Sequence, residues 1–145
     1  MMPRTMQLNL KRLITLHEER RKFPYIDTLG NITFGIGYNA TARGMPDSWI
    51  DKQYDQDVSF FYFNLNHDFP WFKDLCEARQ MALIDMCFMG YKRFLEFEKM
   101  LAALAASDYE TAASEIVNSV WAQEVKTRAV DIEKIILTGD LAWTS

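Results

Sequence analysis

The sequence predicts an α+β protein, mainly helical, with a small N-terminal β-hairpin lobe and a larger helical lobe. Three observations lead there. Apolar residues recur at helical spacing over Met6–Glu19, switch to strand-like residues and turn chemistry over 23–40, and return to helical spacing from position 47 onward. The segment Met81–Met89 is apolar almost all round, with Asp85 its one charge, which makes it the expected buried centre of the larger lobe. At 145 residues and 49% hydrophobic the chain is of a length for one domain with an ample core. The expected division is a small lobe at about 18–46, an interlobe helix at about 47–66, and a helical lobe at about 67–145 joined by the N-terminal helix.

In the first helix Met6, Leu10, Leu13, Ile14 and His17 share a face, while Lys11, Arg12 and Glu19 suit water. Pro24 is expected to stop it. Tyr25, Ile32, Phe34, Ile36 and Tyr38 are strand formers around the turn sequence DTLGN. Gly35 and Gly37 alternate with Phe34 and Ile36, so one face of the returning strand is bare and admits close approach. Pro46 and Asp47 start a long linking helix with Trp49, Ile50, Tyr54, Val58, Phe61 and Leu65 at helical intervals, and the run SFFYFNLN reads as interlobe core with some cleft wall. Pro70 breaks it. Around the buried helix the pattern places FLEFEKMLAALAA, then YETAASEIVNSVWAQE after the capping candidates Ser107 and Asp108, then VKTRAVDIEKIIL ending at Gly139.

Composition excludes several function classes. A formal net charge of -4 gives no basic excess for gripping nucleic acid. The opening stretch contains neither a signal-peptide apolar core nor a membrane-length run, so a soluble cytoplasmic protein without stable membrane insertion is expected. Cys76 and Cys87, placed on one helix, stand roughly 16 Å apart along its axis, too far for a disulfide. With the two His residues they form no zinc spacing, so no metal is expected.

Chemistry concentrates in HEERRKFPYIDTLGNITFGIG, His17–Gly37. Glu18 falls at a helix end, Asp27 in the turn region and Thr33 on the returning strand, so three elements can share one cleft. Glycosidic cleavage needs one protonated carboxyl to donate to the leaving oxygen and one ionised carboxylate to guide water or hold developing positive charge. A Glu packed against an apolar lobe is desolvated toward its neutral form, whereas an Asp on an exposed hairpin stays ionised. A threonine hydroxyl can both accept from and donate to the attacking water. The plainer reading of these residues is a solvated acidic surface. Asp85 is costly in an apolar helix unless hydrogen-bonded.

The order and spacing Glu18-x8-Asp27-x5-Thr33, followed by Phe34-Gly-Ile-Gly37, resembles the motif of the phage-type lysozymes, a muramidase family of glycoside hydrolases. YDQDV at 54–58 is similar to the start of that family's interlobe helix, RQMALIDMCFMG at 79–90 to its buried helix, and W-x6-R-A at 121–129 to its late helical segment. The resemblance implies a lysozyme-like two-lobe fold and hydrolysis of the β-1,4 bond between N-acetylmuramic acid and N-acetylglucosamine in peptidoglycan, by an endolysin that lyses its bacterial host. It implies Glu18 as general acid, Asp27 as ionised partner and Thr33 as positioner of water, with Arg128 supporting Glu18 and Phe88, Met89 and Gly90 along the cleft floor. The carboxyls of Glu18 and Asp27 are expected to face a groove between the lobes. No cofactor is implied, and inversion is the implied stereochemistry. The implied partner is the peptidoglycan glycan strand, reached by a monomer from the host cytoplasm with the help of a holin. Departures are Glu19 where the family commonly has Gly, Tyr38 where its best-known member has His, and an acidic pI of about 5.2, for which a basic face of Arg20, Arg21, Lys22 and Arg43 compensates locally. The alternatives are a lysozyme-like domain that binds wall or a partner without cutting, and action on chitin-like polymers.

Overall fold

In the computed structural model, which describes residues 1–141, helix α1 spans Arg4–Glu18 with Pro3 at its N-cap position. It ends well before Pro24: Glu19 turns to φ 59 and its N–H donates to the Thr15 carbonyl. Pro24 instead lies in β1 (Arg21–Ile26), an edge strand whose pairing is irregular between Arg21 and Tyr25. There a missing N–H costs no ladder bond. β1 pairs antiparallel with β2 (Ile32–Gly35), aligning Tyr25 with Thr33, and β2 pairs antiparallel with β3 (Tyr38–Asn39). The expected hairpin is therefore a three-stranded sheet. The third strand has two residues, too few to leave a pattern.

Contacts divide the chain into two compact units, Met1–Gln53 and the part from Tyr54 onward. In the first, Asn39 caps the short helix α2 (Ala40–Arg43) by accepting from Ala42 N at 3.0 Å. α3 (Asp47–Asp68) starts after Pro46 and runs through the division. Tyr38 organises this unit. Its ring lies 5.4 Å from that of Phe34 and 4.8 Å from that of Trp49, and its hydroxyl donates to the Gly44 carbonyl. Thr33 is the buried side chain of the unit, and the apolar face of α1, with Met6, Leu10, Leu13 and Ile14, is exposed.

The second unit holds the hydrophobic core. Leu65 of α3, Phe72, and Leu83 and Met86 of α4 (Glu77–Met86) meet Phe94 of α5 (Tyr91–Phe94), Met100 and Leu104 of α6 (Glu98–Ala105), Ile116 of α7 (Tyr109–Val117), Trp121 of α8 (Val120–Val125) and Ile136 of α9 (Thr127–Thr138). Three expectations need correction. The apolar segment at 81–89 is not buried all round: α4 stops at Met86, Cys87–Met89 forms a 3-10 turn, and Met81 and Phe88 are exposed. The run SFFYFNLN buries Leu65 and half-buries Phe61, whereas Phe60, Tyr62 and Phe63 are exposed. The two long helical patterns after Gly90 are each broken, at Phe97 between α5 and α6 and at Ser119, whose hydroxyl accepts from Ala122 N at 3.1 Å to begin α8.

Two helix ends follow their sequence signals. Asp108 accepts from Thr111 N at 3.1 Å to cap α7, while Ser107 takes a left-handed φ of 57. Gly139, at φ 72, closes α9 by donating to the Ile135 carbonyl at 2.8 Å. Residues 142–145 of the expected helical lobe lie outside the described residues. Among the described residues no helix is long and apolar enough to cross a membrane.

Arg79 fastens this unit. From α4 its Nε donates to the Ile136 carbonyl at 2.8 Å and its Nη2 to the Leu137 carbonyl at 3.1 Å, satisfying last-turn acceptors of α9. Its guanidinium lies 3.5 Å from the ring centroid of Tyr109 on α7. Three helices thus meet on one side chain. Arg79→Ala is expected to cost about 2–4 kcal/mol, read as a lower denaturant midpoint. Arg79→Lys should recover only part of this, because an ammonium lacks the planar fork.

Candidate active site

The three residues of the glutamate, aspartate and threonine motif all lie in the first unit. Asp27 sits where β1 turns toward β2. Its Oδ1 accepts from Leu29 N at 2.9 Å and from Asn31 N at 2.8 Å, and its Oδ2 from the Asn31 side-chain amide at 3.3 Å. The backbone closes the same turn, Asp27 N donating to Asn31 O and Gly30 N to Asp27 O. These donors, the Asn31 backbone first, hold the Asp27 carboxyl below the ordinary aspartate value against an opposing desolvation that is second in size, and the nearby Thr33 hydroxyl adds least. Asp27 is thus ionised at neutral pH. Any stability it adds is present above its unfolded value of about 3.8 and is lost as pH falls through its lowered folded value.

Thr33 is 4% exposed. Its hydroxyl lies 3.4 Å from the Asn31 carbonyl oxygen and within reach of the Asp27 carboxylate. The turn therefore brings Asp27 and Thr33 together, with Asn31 between them. Asn31 was not singled out by spacing; its signal is an Asp followed four positions later by an Asn within turn-forming residues.

Glu18 is the last residue of α1 and lies against Gly37, just beyond β2. A methyl group built on Gly37 would stand 2.7 Å from Glu18 Oε2 and 2.8 Å from Glu18 Cδ. The expected bare strand face needs correction: β2 ends at Gly35, around which a built methyl meets nothing within 4 Å, and Gly37, in the turn beyond it, is the glycine that Glu18 approaches. Glu18 is exposed within this arrangement, so the apolar packing expected around it is absent. Glu19 turns elsewhere and pairs with Arg21 at 3.0 Å.

Glu19 stands where the resemblance leads one to expect Gly. With φ 59 and ψ 159 it occupies backbone space natural to glycine. Glu19→Gly is expected to raise stability by about 1 kcal/mol, since the exposed pair with Arg21 contributes little. A lower denaturation midpoint in that variant would contradict the strain.

The remaining candidates belong to the second unit. Arg128, near the start of α9, donates from Nε to Asp85 Oδ1 at 2.7 Å and from Nη2 to the Asp85 carbonyl at 2.8 Å. That fork answers the cost of an aspartate on α4. Phe88 is 45% exposed with its ring 5.3 Å from that of Phe61. Met89 is half-buried against the core, and Gly90 turns at φ 104 into α5. Asp85, Arg128, Tyr54, Met81, Ile132 and Leu141 line an open cavity of about 500 Å³ in this unit. Among the described residues no group of three His, Cys, Asp or Glu side chains is arranged to hold a metal ion.

No protein-family model matches the chain. Over 73 residues, 50% of its length, it is 41% identical to the pre-baseplate central spike protein Gp5 of Enterobacteria phage T4. The chain covers 13% of that protein's length. It is therefore similar to part of a much longer phage protein.

Proposed function

We propose that the chain is a phage-associated muramidase with a lysozyme-like fold, cleaving the β-1,4 bond between N-acetylmuramic acid and N-acetylglucosamine in peptidoglycan. The observation that carries this reading is the Glu18, Asp27 and Thr33 spacing in one unit, with an ionised Asp27 near Thr33 and Glu18 seated on Gly37. In this mechanism Glu18 protonates the glycosidic oxygen as the bond breaks. Asp27 offsets positive charge at the anomeric carbon, and Thr33 orients the water that attacks from the opposite face, with inversion. Arg128 keeps the supporting role that the resemblance implies, its guanidinium aligned by Asp85, and Phe88, Met89 and Gly90 contact sugar.

The single experiment is digestion of purified peptidoglycan with mass analysis of the fragments. New reducing ends on muramic acid are expected; released peptides with intact glycan would sink the proposal. Two biological settings fit the same chemistry. As an endolysin the protein is a cytoplasmic monomer that reaches the wall after a holin opens the membrane. The similarity to a phage spike protein favours a second setting, in which the domain is carried on the particle and opens the wall during entry. Recovery of the chain in purified virions would select the second, and its absence from them the first. A wall-binding domain without cutting is the outcome if binding occurs and no reducing ends form.

A further inference from the structure

Helix α1 carries two unlike faces. At about 100° per residue, Met6, Leu10, Leu13 and Ile14 fall within about 100° of one another, and all four are exposed. Arg4, Lys11 and Arg12 stand more than about 100° from the middle of that stripe. No carboxylate precedes Glu18, so the helix is cationic along all but its last residue. Arg4, Lys11 and Arg12 are ion-paired to no carboxylate among the described residues, and no residue of α1 is buried. In a chain of net charge -4, this is a local concentration of one sign beside an apolar stripe.

The stripe borders a groove. Met2, Leu10, Ile14 and Ile36 line an open cavity of about 320 Å³ within the first unit, and Gln7 and Lys11 complete its lining. The Gln7 amide is spent on the Met2 carbonyl at 2.7 Å, which leaves Lys11 as the lining side chain able to take an anion. An apolar slot beside an unpaired ammonium suits a molecule with a hydrocarbon chain and an anionic head. A helix with one apolar face and a cationic polar face lies in the plane of a membrane interface, its apolar side about 5–10 Å into the boundary between headgroups and acyl chains. Nucleic acid would answer the cations and leave the stripe in water. A neutral apolar partner would do the reverse.

We infer that α1 docks on an anionic lipid surface. Met6, Leu10, Leu13 and Ile14 enter the acyl boundary, Lys11 and Arg12 meet lipid phosphates, and the groove at Ile36 takes an acyl chain. The contact lies on the membrane and does not span it, and it is independent of the muramidase reading, because it concerns a surface and not the chemistry at Glu18.

The test is sedimentation of the full chain with vesicles of phosphatidylglycerol and, separately, of phosphatidylcholine. At low salt the anionic vesicles are expected to bind it on the order of tenfold tighter or more, since each cation is favoured at a negative lipid surface. That preference should vanish at about 1 M salt, where the screening length is about 3 Å. Two variants at exposed positions divide the contributions. K11Q/R12Q should bind the two vesicles nearly alike, and M6Q/L13Q should bind both on the order of tenfold more weakly. Equal binding of the unmodified chain to the two vesicle types, or binding to neither, would overturn the proposal without reliance on any variant. A chain that is dimeric without lipid and ignores vesicles would overturn it in favour of a second copy covering the stripe. Wall cutting without vesicle binding fells this inference alone; binding to anionic vesicles by a chain that forms no new reducing ends supports it and fells the muramidase reading.

Discussion

Glu18→Gln is expected to slow wall hydrolysis by about 10²-fold or more, the scale of general acid catalysis, while binding to insoluble peptidoglycan persists. Glutamine keeps the size and most hydrogen bonding of the side chain but has no proton of carboxylic acidity to give. The neighbouring substitution is the control. Glu19 leaves the helix at φ 59 and spends its carboxylate on Arg21 at 3.0 Å, so Glu19→Gln should alter the rate little. Lysis rate and wall binding measured for both on one wall preparation decide the matter: equal activities, or an inactive Glu19→Gln beside an active Glu18→Gln, would overturn the assignment.

Gly37→Ala is expected to damage both fold and rate. The added methyl would stand 2.7 Å from Glu18 Oε2, and the backbone at φ 66 disfavours any side chain. The glutamate must move or the turn must distort. A shift of about 1 Å in a reacting group is enough for a loss on the order of 10²-fold, alongside about 1 kcal/mol or more of stability. Gly35→Ala separates the two effects. Gly35 has the same φ of 66 but nothing within 4 Å of its built methyl, so that variant should lose similar stability and retain its rate. Matching activities for the two alanine variants would show that Glu18 does not depend on the space at Gly37.

What the sequence announces and what it conceals divide along a physical line. Signals acting within a turn or a cap are legible: Asp108 before α7, Gly139 after α9, and the change of period at the sheet. The break at Phe97 is concealed, because it carries no side-chain cap and the flanking apolar pattern continues through it, whereas the break at Ser119 has a local cap signal that the helical spacing of YETAASEIVNSVWAQE obscures. In the candidate site the spacing of Glu18, Asp27 and Thr33 is legible. The parts that hold them are not. Asn31 becomes a ligand of the Asp27 carboxylate only once the turn closes, and Gly37 becomes a seat for Glu18 only when α1 returns to the sheet. The cost of Asp85 in an apolar helix is likewise plain, whereas its partner Arg128 lies 43 positions further on.

The two free thiols stand at opposite ends of α4, Cys76 exposed and Cys87 buried, with burial pushing the Cys87 thiol up to about 12. Thiolate is the species that reacts with alkylating reagents, so in the folded chain such a reagent has one address. A first adduct at Cys76 therefore marks the native molecule. The later arrival of a second at Cys87 times the opening of the core around α4, giving the unmodified sequence a built-in clock for its own unfolding.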